Sequence, residues 1–167
     1  KKIKSNLEYL EEARKTMKDF PTVKTSLYTA ALYGLPNVGK TTVLSKLTPS
    51  EAEINTYPFT TKKINIGYIT NGNDRVQILD TPGCLNRPDK MNKIEMQADL
   101  ALKYCADKIV FVFGPEQDME EQNALFEKVK RKYRRKEVIP FYREKDNIED
   151  LKKKIIGCLL ILIIQLR

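Results

Sequence analysis

The 167-residue chain is long enough for one domain with a real core, and its 41% hydrophobic residues can fill it. Lysine and arginine outnumber aspartate and glutamate by 30 to 22, a net charge of +8 that favours an anionic partner such as RNA and equally describes a lysine-rich solvated surface. The chain holds no histidine, which excludes histidine bases, Ser-His-Asp triads and histidine metal sites; Cys84, Cys105 and Cys158 lack CxxC spacing and read as reduced thiols in the cytoplasm.

Residue 1 is Lys1 rather than methionine, as in a fragment or a chain numbered from inside a longer protein. The charged start carries no signal-peptide pattern. Residues 1–20 have a helical period, with Ile3, Leu7, Leu10, Arg14 and Met17 at three- and four-residue steps, and Pro21 ends it. Residues 1–22 are therefore expected to be a helical arm, and 23–167 the main domain. Leu27 to Tyr33 reads as a buried strand, Gly34 to Lys40 as a loop and Thr41 to Leu47 as a helix. Ile64 to Ile69 and Val76 to Leu79 form a hairpin around the Asn71-Gly72-Asn73-Asp74 turn. A polar loop from Pro82 to Asn92 leads to a helix over 94–105, with Met96, Leu100 and Tyr104 on one face. Further on come a strand at 109–113, a helix at 120–133 with Leu125 and Val129 inward, a strand at 138–142 and a helix at 148–156. The basic end of the 120–133 helix, Lys130-Arg131-Lys132, suits the helix dipole without any ligand. The apolar run Ile155 to Leu166 is too short to cross a bilayer, which needs about 20 residues, and is expected to be a buried strand or helix rather than a membrane anchor. Strands alternating with helices predict an α/β fold, a mostly parallel sheet covered on both faces.

Chemistry concentrates at the first loop. Gly34-Leu35-Pro36-Asn37-Val38-Gly39-Lys40-Thr41 satisfies G-x-x-x-x-G-K-[ST] in full, between a strand and a helix. Its glycines let the backbone curl so that successive N–H groups face phosphate oxygens. Lys40 adds charge at the β- and γ-phosphates, and the Thr41 hydroxyl suits magnesium. Asp80-Thr81-Pro82-Gly83 follows a strand some forty residues on: the Asp80 carboxylate would hold magnesium through water, and the Gly83 N–H would sense the γ-phosphate. Between the two motifs lies Tyr57-Pro58-Phe59-Thr60-Thr61, where a threonine could reach magnesium only while the γ-phosphate is present; spacing alone describes it equally well as a polar loop with a proline turn.

GLPNVGKT, DTPG and the segment Asn55-Thr56-Tyr57-Pro58-Phe59-Thr60-Thr61-Lys62 together resemble the Obg-type GTPases linked to translation. Within them the chain is most similar to the nucleolar GTP-binding protein 1 family and its archaeal relatives, as are Leu7 to Arg14 and Glu95 to Tyr104; the resemblance covers roughly residues 5–142. It implies the P-loop NTPase fold, GTP and GDP as ligands with Mg2+, slow hydrolysis with Lys40, Thr61 and Gly83 at the reacting phosphate, and ribosomal RNA or a ribosomal particle as partner. It implies Thr61 as the switch ligand of magnesium, with Phe59 and Thr60 beside it, and Asn37 at a position that helps hold potassium in potassium-activated relatives.

The chain departs from the family pattern near its end. Arg143-Glu144-Lys145-Asp146 stands where the guanine-reading N-K-x-D belongs, leaving Asp146 alone to accept from guanine N1 and N2, and Asn147 to Asp150 comes too late to replace it. The Ser-Ala-Lys-type loop over the base is absent, and Gly114 stands where the family tends to have aspartate after Phe113. Cys84 follows Gly83 where many switch GTPases place a water-orienting glutamine. Three readings remain: a GTPase switch, a nucleotide-binding scaffold with negligible turnover, and an ATP-using P-loop enzyme. The YPFTT and DTPG motifs favour the first over the third; the altered base-reading motif favours the second over the first.

Overall fold

The computed structural model describes residues 7, 11, 23–48, 64–72, 74–85 and 93–165. Most of the expected N-terminal arm and the whole Tyr57 to Thr61 loop lie outside these residues. Among the described residues five strands form one sheet: β1 (Thr29–Tyr33), β2 (Asn65–Asn71), β3 (Asp74–Asp80), β4 (Lys108–Phe113) and β5 (Glu137–Tyr142). Their spatial order is β2-β3-β1-β4-β5, with β2 antiparallel to β3 and every other pairing parallel. β1 and β4 are buried at every position, as expected of central parallel strands whose sequences are nearly continuous apolar runs. β5 lies at the edge, and this permits Pro140, which has no N–H for a further ladder. Gly72 has φ 61° in the β2–β3 turn, the left-handed conformation that such hairpin connections need.

Among the described residues, α1 (Lys40–Leu47), α2 (Lys93–Leu100) and α3 (Met119–Lys132) lie between strands, and α4 (Ile148–Gln165) follows β5. α3 is capped by Asp118, whose carboxylate accepts from Glu121 N at 2.8 Å, and charge follows the dipole from Glu120 and Glu121 to Lys130–Lys132. It packs Leu125, Phe126 and Val129 onto β4, where Phe111, Phe113 and Phe126 have ring centroids 4.8–5.4 Å apart. α4 continues to Gln165, so most of the apolar C-terminal run is helical; no helix among the described residues is long and apolar enough to cross a membrane.

The segment after α2 differs from the expected uninterrupted helix. Ala101–Cys105 widens into a π-helical turn closed by Ala106 N on Ala101 O at 3.0 Å. The face carrying Met96, Leu100 and Tyr104 is exposed, while Glu95, Ala98, Ala101 and Leu102 are buried. Small Ala98 and Ala101 let the backbone approach the core, which the longer side chains of the other face would prevent.

Candidate functional site

The C-terminal ends of β1, β3 and β5 and the start of α1 enclose a cleft of about 610 Å³. Its floor is the loop after β1. A Cβ on Gly34 would come within 2.6 Å of Val112 O, so only glycine leaves room for the turn away from the strand. Asn37 (φ 63°) and Gly39 (φ 87°) then take left-handed conformations, which asparagine tolerates better than most residues. Gly39 is the N-cap of α1 and offers no side chain to its first-turn N–H groups; the uncapped donors and the positive end of the helix dipole face the cleft as an anion site.

Lys40 is only 6% exposed, and its ammonium donates to Leu35 O at 2.8 Å and Gly34 O at 3.4 Å. Burial lowers its pKa, with the negative charge of Asp80 acting in the opposite direction. Thr41 Oγ1 donates to Asp80 Oδ2 at 2.7 Å, and Asn65 Nδ2 donates to the same oxygen at 3.0 Å. Burial pushes the Asp80 carboxyl above the ordinary range, while those two hydrogen bonds and Lys40 pull it back. Thr41 and Asp80 thus bring two hard oxygen donors together at the cleft. They fit magnesium, which keeps several waters, takes phosphate oxygens and needs few protein ligands. Among the described residues no cluster of three or more His, Cys, Asp or Glu could hold a metal by itself. Thr61, the third expected magnesium ligand, lies with Phe59 and Thr60 outside the described residues.

The DTPG segment is seated directly on this loop. A Cβ on Gly83 would lie 2.5 Å from Pro36 Cα, and Cys84 N donates to Gly34 O at 3.3 Å. Pro36, Asn37, Gly39, Lys40, Thr41, Asp80, Thr81, Pro82 and Gly83 all line the cleft. Gly34, Leu35 and Val38 do not: Leu35 and Val38 are core side chains, and Gly34 and Leu35 serve through the carbonyls that hold Lys40. The Thr81 hydroxyl is committed to Leu32 O at 2.7 Å, so that residue clamps β3 to β1. The Cys84 thiol is buried and pushed up chiefly by that burial, hence protonated and unsuited to orienting water.

The structure does not bring Asp146 into the cleft. Its Oδ2 accepts from Tyr142 N at 2.7 Å, closing its own turn, and it lines a separate pocket of about 230 Å³ beside α4. Arg143 lines the cleft instead. Sequence reasoning also missed Asn65, though the hairpin register could have found it: with Asn71 opposite Asp74, counting back pairs Asn65 with Asp80. Gly114 is explained by contact, since a Cβ there would meet Val38 Cα at 2.8 Å; an aspartate would push on the phosphate loop. Buried Gln122 fixes Gly114 by accepting from its N at 2.8 Å and donating to its O at 2.9 Å.

A mostly parallel sheet with a glycine loop feeding a helix N-terminus, a buried lysine and a threonine–aspartate pair defines a P-loop nucleotide-binding domain. Residues 29–144 match the 50S ribosome-binding GTPase family, and the chain belongs to that family as a GTP-binding protein. It is 35% identical over 144 residues to nucleolar GTP-binding protein 1 of Caenorhabditis elegans, covering 83% of this chain and 21% of that protein. It is 45% identical over 133 residues to an uncharacterized protein of Methanocaldococcus jannaschii, covering 77% and 37% respectively. The chain therefore spans between about a fifth and somewhat over a third of these relatives. The fold is shared with a crystal structure described as nucleolar GTP-binding protein 1 from Plasmodium falciparum (TM-score 0.59, 24% identity, 84% of this chain and 74% of that one). It is shared too with the G domain of the T. maritima FeoB iron transporter (TM-score 0.53, 22% identity, 78% and 98%).

Proposed function

We propose that this domain is a molecular switch that binds GTP and GDP with magnesium, hydrolyses GTP slowly, and acts on ribosomal RNA or a ribosomal particle during ribosome assembly or translation, in the cytoplasm. The observation that carries the reading is the joint seating of Thr41, Asp80 and Gly83 on the phosphate loop: Thr41 bonds Asp80, and Gly83 touches Pro36. A γ-phosphate entering there meets the metal donors and the DTPG backbone together, so its presence or loss bears on both segments. Lys40 exchanges its two carbonyl partners for phosphate oxygens. Magnesium would be held by Thr41 and Asp80 and would supply positive charge that neutralises charge developing on the phosphates. Thr61 adds a ligand only in the triphosphate state, and Asn37 accounts for any acceleration by potassium. The ribosomal role rests on the family's description and on the names of the nucleolar relatives.

The test is a titration of GDP and a non-hydrolysable GTP analogue with magnesium. Lys40→Ala should abolish binding of both while the circular dichroism spectrum is preserved, and Thr61→Ala should weaken only the analogue. Parent-like binding by Lys40→Ala would overturn the phosphate site; equal losses in Thr61→Ala would overturn the switch. The second reading, a scaffold with negligible turnover, draws on Asp146 being engaged in its own turn. Single-turnover hydrolysis decides between them. A switch should give a rate on the order of 10⁻⁴ to 10⁻² s⁻¹, compared in potassium and in sodium, whereas a scaffold gives none.

A further inference from the structure

The cleft has two ends. Asp80 and Gly83 come from the end of β3, on one side of β1; Arg143 comes from the end of β5, on the other. A nucleotide anchored by its phosphates at the start of α1, with the terminal phosphate toward Asp80 and Gly83, extends its nucleoside toward β4 and β5. This step rests on the phosphate site proposed above. Among the described residues that line the cleft, Arg143 is the one that follows β5.

Arg143 is held in place from several directions. Its N–H donates to Phe113 O at 3.1 Å, continuing the β4–β5 ladder, and the preceding Tyr142 ring stacks on Phe113 with centroids 4.5 Å apart and planes 13° from parallel. One terminal guanidinium nitrogen donates to the Glu116 carboxylate. The other, and Cδ, each lie 2.9 Å from where a Cβ on Gly39 would stand, so the fork is laid over the loop at the helix start, where glycine makes room for it. A guanidinium has five N–H donors, and the Glu116 pairing leaves others for a ligand. On its Hoogsteen edge guanine presents two acceptors, N7 and O6, which a guanidinium fork matches; adenine presents the N7 acceptor beside the N6 donor, which it does not.

We infer that Arg143, positioned by Glu116, is the residue that discriminates guanine from adenine in this chain, donating to N7 and O6 of the base. Recognition has moved from a carboxylate reading N1 and N2 to a guanidinium reading the opposite edge. That accounts for a GTP-binding family member whose Asp146 is turned back onto Tyr142.

Diphosphates test this without interference from hydrolysis. The unmodified chain, titrated with magnesium present, should bind GDP and IDP alike, because inosine keeps N7 and O6 and lacks only the N2 amine. It should bind 7-deaza-GDP and ADP about ten-fold or more weakly. Arg143→Ala should bind all four with similar, weakened affinity. Arg143→Lys, which keeps the charge without the fork, should not restore the preference, and Glu116→Gln should reduce it. The analogue series on the unmodified chain stands whether or not a variant folds. If 7-deaza-GDP binds as tightly as GDP while IDP binds ten-fold more weakly, Asp146 reads the base and the inference fails. An undiminished GDP preference in Arg143→Ala overturns it as well. If no diphosphate binds the unmodified chain, the phosphate site itself is wrong and the inference goes with it.

Discussion

Asp80 carries an electrostatic conflict. It is 3% exposed and accepts from Thr41 and Asn65, yet burial outweighs both hydrogen bonds and the charge of Lys40, leaving its pKa above the ordinary 3.8. The folded chain therefore keeps this proton to higher pH than the unfolded chain does. Ionising Asp80 disfavours the folded state: the penalty is absent below the unfolded value, develops as pH rises through the folded value, and is complete above it. In chelator, without nucleotide, the parent should lose thermal stability over that rise relative to Asp80→Asn, which lacks this titration. Melting temperatures of the two across pH would test it, and parallel curves would remove Asp80 as the cause. Magnesium with nucleotide should raise the parent's melting temperature at neutral pH much more than that of Asp80→Asn, because the bound cation makes the buried carboxylate favourable. Lys40 follows the same logic: a buried ammonium held by two carbonyls.

Among the elements, α3 does more than cover the sheet. Gln122, on its first turns, is fully buried and bonds both backbone groups of Gly114 as well as Gln117 O at 3.0 Å. Gly114 in turn abuts Val38 of the phosphate loop. Gln122→Leu preserves bulk but leaves the N–H of Gly114 unpaired and its C=O with only the 3.4 Å bond from Gln117 N, and should cost about 1–3 kcal/mol, read as a lowered urea midpoint. Nucleotide affinity should fall with it, because the support behind Val38 is loosened. An unchanged midpoint would mean that water or another donor replaces the amide. Helical and strand periods are legible at this scale: Leu125 and Val129 face inward as their spacing predicts, and β1 and β4 are the buried strands. The face of α2 is not. Met96, Leu100 and Tyr104 recur at four-residue steps, but periodicity identifies a stripe without saying that neighbouring elements cover it, and here alanines take the buried side.

For the whole molecule, the two ends of the parallel strands differ. The phosphate-loop cleft lies at their C-terminal ends. The opposite end gathers positive charge where α3 leads into β5 and the π-helical turn leads toward β4. Lys130, Arg131, Arg134 and Arg135 are exposed there, and Lys136 joins the two segments by donating to Leu102 O, Lys103 O and Ala106 O at 2.6–2.8 Å. If the partner is RNA, replacing Arg131, Arg134 and Arg135 with glutamate should weaken binding to a single-stranded RNA. It should also flatten the dependence of log affinity on log salt by about 0.7 for each phosphate no longer neutralised. GDP binding, at the other end, should be unchanged. Anisotropy titrations at several salt concentrations measure both, and an unaltered slope would remove this end as the RNA surface.

The chain's own order of residues determined the phosphate loop, the Thr41 and Asp80 oxygen donors and the strand–helix alternation. Each depends on short-range facts: glycine spacing, a lysine and a hydroxyl at a helix start, an aspartate at a strand end. Tertiary structure decided which residues of the β5 end enter the cleft. Arg143 and Asp146 are three positions apart, and a linear pattern assigns the base to the carboxylate. A turn closed by Asp146 on Tyr142 N, with Arg143 drawn over Gly39 by Glu116 from a different loop, assigns the cleft to the guanidinium. The partners of a polar side chain are set by what the fold brings beside it, and residues 116 and 143 become neighbours only once β4 and β5 have paired.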